Sequence, residues 1–93
     1  MIQREAIVKS QYGIHARPSA AIALAVTNDF PGTEVTLVDS KSSQQANARR
    51  VLEIMTLALQ CGAKVTVSAF GKDEERAVEA VVKIIESFEV EVK

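Results

Sequence analysis

Short apolar alternations separated by longer apolar stripes divide the chain into seven elements. Ile2 to Val8 puts Ile2, Ala6 and Val8 on one face and reads as a strand, although Ile7 on the other face breaks strict alternation. Ala16 to Thr27 carries Ser19, Ile22, Ala23 and Val26 at helical spacing, with Pro18 in the first turn, where its missing N–H does no harm. Asn28 is a candidate to end that helix in a left-handed conformation, and Pro31-Gly32 makes a turn. Glu34 to Val38 alternates as a second strand, and Gln44 to Ala46 is a short third one after the loop 39–43. Asn47 caps a second helix expected to run to about Gln60, with Gly62 as the glycine beyond its end and Ile54, Leu57 and Ala58 as its core stripe. Lys64 to Ala69 is the clearest strand, with Val65, Val67 and Ala69 inward. The last helix follows Asp73 as its N-cap. Its stripe is Ala77, Val78, Val81, Ile84, Ile85 and Phe88, and residues 89–93 form a frayed tail.

The order βαββαβα interleaves helices with strands yet keeps a near-hairpin in the middle. That combination predicts an α+β domain: a mostly antiparallel sheet covered by helices on one face, spanning residues 1–93 as one unit. A net charge of −1 gives no argument for nucleic acid or anionic lipid as partner. The apolar stretch from Ala20 to Val26 is far too short for membrane insertion, and no signal peptide follows Met1, so the expected compartment is the cytoplasm. The single cysteine, Cys61, cannot form an internal disulfide and has no neighbouring Cys or His with metal-ligand spacing. No metal and no cofactor is expected.

One constellation carries chemistry. The only histidine stands in Gly13-Ile14-His15-Ala16-Arg17-Pro18-Ser19. A lone histidine at a helix start is commonly a surface cap, but here three features converge. His15 falls at the N-cap, where free N–H groups of Ala16 and Arg17 and the positive dipole end attract an anion such as phosphate. Arg17 adds a fork of donors suited to phosphate oxygens. The helix end also disfavours a protonated ring, which keeps a nucleophilic nitrogen on His15 near neutral pH.

This motif resembles the phosphorylation site of the histidine-containing phosphocarrier protein HPr family, of the phosphoenolpyruvate-dependent sugar phosphotransferase system. The likeness extends to Met55-Thr56-Leu57, Gly62-Ala63, and Val65 to Ala69 followed by Gly71-Lys72-Asp73-Glu74. It implies an open-faced β-sandwich with four antiparallel strands and three helices on one side. It implies that enzyme I phosphorylates His15 on Nδ1, that Arg17 supports the phosphohistidine, and that an IIA domain of a sugar permease receives the group. The protein would be a monomeric carrier, without turnover of a small molecule of its own. The nitrogen-related and dihydroxyacetone-kinase branches of the system use the same type of carrier, and a regulatory module that binds without transferring phosphate is a third reading. The resemblance also implies a departure. Where Gram-positive members of the family carry a regulatory serine at the start of the second helix, this chain has Arg50. That regulation is therefore expected to be absent, and Ser42 and Ser43, in a longer loop, do not match the position.

The helices hold more apolar residues than one core stripe needs. Arg17, Ala20, Ala21 and Leu24 repeat the helical spacing on an outward face, and Val51, Leu52 and Met55 exceed the needs of the second helix. Such a surplus predicts a partner-binding patch, and Met suits a surface that meets several partners. The resemblance places enzyme I and IIA domains on these same faces. Arg49 and Arg50, expected in the first turn of the second helix, are either two solvated charges or a basic patch beside His15.

Overall fold

The computed structural model describes residues 1–9 and 16–87. Its elements are β1 (Ile2–Ile7), α1 (Ala16–Asp29), β2 (Thr33–Asp39), β3 (Gln45–Asn47), α2 (Val51–Thr56), β4 (Lys64–Gly71) and α3 (Glu74–Ser87). The strands form one antiparallel sheet in the order β1-β4-β2-β3. The inward positions of the strands, Ala6, Val35, Leu37, Ala46, Val65, Val67 and Ala69, are buried in one core with Ile22 and Val26 of α1, Ile54 of α2, and Ala77, Val78, Val81 and Ile85 of α3. Gln3, Glu5 and Glu34 stand exposed at alternate positions. The architecture is thus an α+β sandwich with one open sheet face, and its inward strand positions are those the alternation predicts. Phe88 and residues 89–93 lie outside the described residues.

Where the elements end differs from the expectation, and local backbone bonding explains each case. Asn28 does not stop α1. The helix runs to Asp29, and the Phe30 N–H still reaches the Val26 carbonyl at 3.1 Å. The second helix is far shorter than the stripe suggests. Asn47 does not cap it, because the Asn47 side-chain oxygen accepts the Arg49 N–H at 2.9 Å in a local turn, and the helix starts after an extended Arg50. Arg49 and Arg50 therefore precede α2 rather than occupy its first turn. At the other end, the N–H groups of Leu57 and Ala58 bond to carbonyls three residues back and Ala58 turns left-handed (φ 52°), which closes the helix before Gln60. Ala58 is consequently exposed instead of joining the core, while Leu57 and Leu59 are buried. Gly62, at φ 90°, serves the turn into β4, where its N–H donates to the Val8 carbonyl at 2.8 Å.

The β2–β3 hairpin loop is ordered by Asp39. One of its carboxylate oxygens accepts the Lys41 N–H at 3.0 Å, the other accepts the Ser42 hydroxyl at 3.1 Å, and its backbone N–H donates to the Gln44 carbonyl at 2.9 Å. Strand β3 accordingly starts at Gln45, one residue later than the pattern suggests. At the start of α3 the Ala77 N–H donates to the Asp73 carbonyl at 2.8 Å, consistent with Asp73 as N-cap. Glu74 reaches back to accept the Gly71 N–H at 3.1 Å. That bond, reinforced by the nearby N-terminal ammonium, holds the Glu74 carboxyl below the ordinary carboxylate value.

Gly71 is the most closely approached of the described glycines. Its φ is 141°, and an added Cβ would lie 2.5 Å from the Gly32 carbonyl oxygen and 2.9 Å from the Thr33 Cα. Both contacts are backbone, so neither can swing away. Gly71→Ala should lower the unfolding free energy by about 2 kcal/mol through strain and overpacking, read as an earlier urea midpoint with unchanged slope.

Candidate functional site

His15, with Gly13 and Ile14, lies outside the described residues; the helix that follows it is described from its first residue. Ala16 opens α1, so the N–H groups of Ala16 and Arg17 have no acceptor within the helix. The helix is 14 residues long and has no acidic residue in its first turn, so no carboxylate of its own neutralises the positive end. Arg17 is exposed and makes no ion pair among the described residues, which leaves its guanidinium available to an anion. Pro18 and Ser19 are buried on the other side of the turn and anchor it against the core. The Ser19 hydroxyl oxygen is buried without a hydrogen-bond partner among the described residues.

The surplus apolar residues are exposed as expected. Leu24 on α1 is 61% exposed, and Leu52 and Met55 on α2 are 79% and 38% exposed. Ala20, Ala21 and Val51 are half-buried. Since α1 packs against α2, these side chains belong to two adjoining helices. Arg50 stands exposed at the N-terminus of α2, with Nε 3.0 Å from a Glu53 carboxylate oxygen. The other Glu53 oxygen accepts the Asn47 N–H at 3.0 Å, so Glu53 ties Arg50 to the turn that precedes the helix.

Arg49 does something that neither sequence-based alternative anticipates. One of its guanidinium nitrogens donates to the carbonyls of Phe30, Pro31 and Thr33 at 2.8, 3.0 and 2.9 Å. It is therefore not a solvated charge, but a clamp on the connection between α1 and β2. Nothing in the periodicity marks it, because its acceptors are backbone groups 16 to 19 residues earlier.

A cleft of about 730 Å³ lies where the loop at 39–41 meets the segment 58–64. It is lined in part by Lys41, Cys61 and Lys64, and none of the described residues predicted for the site contributes to it. Among the described residues no group of three or more His, Cys, Asp or Glu could hold a metal ion, and no helix is long and apolar enough to cross a membrane.

The family described as the PTS HPr component phosphorylation site matches residues 2–87, and with them the segment from Gly13 to Ser19. The chain belongs to the HPr family. Its relatives include the phosphocarrier protein HPr of Mycoplasma pneumoniae, 35% identical over 86 residues that cover 92% of this chain and 94% of that one. The HPr-like protein Crh of Halalkalibacterium halodurans is 33% identical, covering 92% and 98% of the two chains. Among solved structures, HPr from Thermoanaerobacter tengcongensis superimposes with a TM-score of 0.82 at 33% identity, over 94% of this chain and 93% of that one. HPr proteins are phosphocarriers of the phosphotransferase system, so this chain's partners are, in general terms, components of that system. Arg17 and the exposed face of Leu24, Leu52 and Met55 thus occur in an HPr fold.

Proposed function

We propose that the protein accepts a phosphoryl group on His15 Nδ1 from phospho-enzyme I and passes it to IIA domains of sugar permeases, working as a single unit across residues 1–93. The observation that carries this reading is the motif itself: the only histidine of the chain directly precedes a long helix whose first turn offers free N–H groups, no carboxylate, and an Arg17 without an ion pair among the described residues. In the forward step the lone pair of Nδ1 attacks phosphorus, a new N–P bond forms and the bond to the donor breaks. The phosphoryl oxygens then face Arg17 and the N–H groups of Ala16 and Arg17, which hold developing negative charge without reorganising. Transfer onward reverses these roles. The protein acts in the cytoplasm as a monomer, binding no nucleic acid and entering no membrane. Arg50 offers no hydroxyl for phosphorylation at the start of α2, so the serine-based regulation of some relatives does not operate here.

Partners dock on Ala20, Ala21, Leu24, Arg50, Val51, Leu52 and Met55. Leu52→Glu should slow transfer from enzyme I about tenfold and shift stability by no more than ~0.5 kcal/mol, because the side chain is 79% exposed and lacks a core role. Unchanged transfer kinetics would remove the patch from the interface.

The deciding experiment incubates the protein with enzyme I and phosphoenolpyruvate and measures its intact mass. Gain of one phosphoryl group, labile in acid, supports the carrier. The likeness to the HPr-like protein Crh favours one other reading, a module that binds regulators without carrying phosphate. Unchanged mass with intact binding of a partner would select it. Which branch of the system is served, sugar, nitrogen-related or dihydroxyacetone kinase, follows from which acceptor discharges the phosphoprotein.

A further inference from the structure

Among the described residues, strand β1 is one edge of the sheet and pairs only with β4. An open edge of this kind is a template on which another strand can add. The opposite edge, β3, is only three residues long and offers little to pair with. Along β1 the direction of each backbone group follows from its end. The Val8 N–H donates to the Ala63 carbonyl at 2.9 Å, and the Val8 carbonyl accepts the Gly62 N–H at 2.8 Å. Val8 thus faces the interior side, and by alternation so do Ala6, Arg4 and Ile2. Gln3, Glu5 and Ile7 turn their backbone groups to the open side. The Ile7 N–H does not stay free, because it donates to a Glu86 carboxylate oxygen of α3 at 3.1 Å. No hydrogen bond from a described residue occupies the N–H of Gln3 or Glu5.

We infer that Arg4, Glu5 and Glu86 together keep the open edge of β1 from pairing with a second copy of this chain. Two copies of β1 can meet antiparallel about a two-fold axis only in registers that bring outward-facing residues opposite one another. If the axis passes through Glu5, then Glu5 lies opposite its own copy and Gln3 opposite Ile7. If it passes through Arg4, then Arg4 lies opposite Arg4. The two best-overlapping registers therefore each set like charges across the strand pair, where they repel. The register centred on Glu5, and the next one centred on Ala6, also need the Ile7 N–H, and the Glu86 carboxylate already occupies it. The same helix binds β1 at two further points: Glu79 lies 3.8 Å from Arg4, and Glu74 lies 3.3 Å from the N-terminal ammonium. Carboxylates of α3 thus meet β1 at its start, middle and end, holding the strand in its own sheet. A free monomer results, with all of its α1–α2 face open.

The test compares the wild-type chain with Glu5→Thr/Glu86→Ala, which in the register centred on residue 5 removes the like-charge pair, frees the Ile7 N–H and places a good strand former at the edge. Light scattering after gel filtration should give a single-chain mass for the wild type. The variant should shift toward twice that mass as concentration rises, with amide exchange at Gln3, Glu5 and Ile7 slowed at least tenfold. Circular dichroism checks that the variant is folded. Glu86→Ala alone leaves the strand sequence intact and should show the same shift in weaker form should the double variant be unfolded. A folded variant that stays a single chain at millimolar concentration, with those amides exchanging as in the wild type, overturns the inference. So does a wild-type dimer in which the Gln3 and Glu5 amides are protected.

Discussion

His15→Ala should take up no phosphoryl group from phospho-enzyme I while keeping the wild-type fold. The expectation is an all-or-none loss, because the chain has no second histidine to substitute and the proposed chemistry needs a neutral ring nitrogen as nucleophile. A hydroxyl cannot replace it. Ser19, which ends the motif, is fully buried on the core side of α1. The fold should survive because the core of the described residues is built from the inward faces of the sheet and helices, which this substitution leaves unchanged. Intact mass after incubation with enzyme I and phosphoenolpyruvate gives the first readout, and far-ultraviolet circular dichroism the second. A variant that still gains a phosphoryl group would move the site elsewhere in the chain. A variant that loses both phosphate and fold would say nothing for the nucleophile, which is why His15→Gln, of similar size and polarity, is its companion.

The second large effect concerns stability. Arg49→Ala should lower the unfolding free energy by about 3 kcal/mol, because it strips a charged donor from three carbonyls at once and leaves those of Phe30 and Thr33 part-buried without it. The reduction is smaller than three full charged hydrogen bonds, since one nitrogen serves all three acceptors and the Pro31 contact is exposed. Arg49→Lys should recover less than half of the loss, as a single flexible ammonium does not reproduce a planar guanidinium held among several acceptors. Arg50→Ala is the contrast: its pair with Glu53 is on the surface, and its removal should cost no more than ~0.5 kcal/mol. Urea titrations of the three variants test this ordering. Equal midpoints for the Arg49→Ala and Arg50→Ala proteins would show that the clamp adds nothing.

Period and composition carried the fold a long way. The β4 stripe of Val65, Val67 and Ala69 and the α3 stripe of Ala77, Val78, Val81 and Ile85 are buried where alternation and helical spacing put them. The same is true of Ser19, Ile22, Ala23 and Val26 on α1. Long amphipathic elements are legible because every residue repeats the same statement about which side faces the core. The surplus at Leu24, Leu52 and Met55 was legible for the same reason, as apolar residues with no place left in the stripe. Short elements and their ends were not. Helix α2 repeats its pattern too few times to outweigh local bonds, so the Asn47 turn and the left-handed Ala58 decide its limits.

The sequence by itself determined the element order, the inward faces and the motif of His15 and Arg17, because those depend on neighbours within a turn or two along the chain. Tertiary structure alone decided the sheet order, the clamp of Arg49 on residues 30–33, and the meeting of α3 carboxylates with β1. In each of those the partners are far apart along the chain, as with Ile7 and Glu86, 79 residues apart. No local spacing encodes such a pairing; it follows only once burial of the apolar faces has fixed which elements lie side by side.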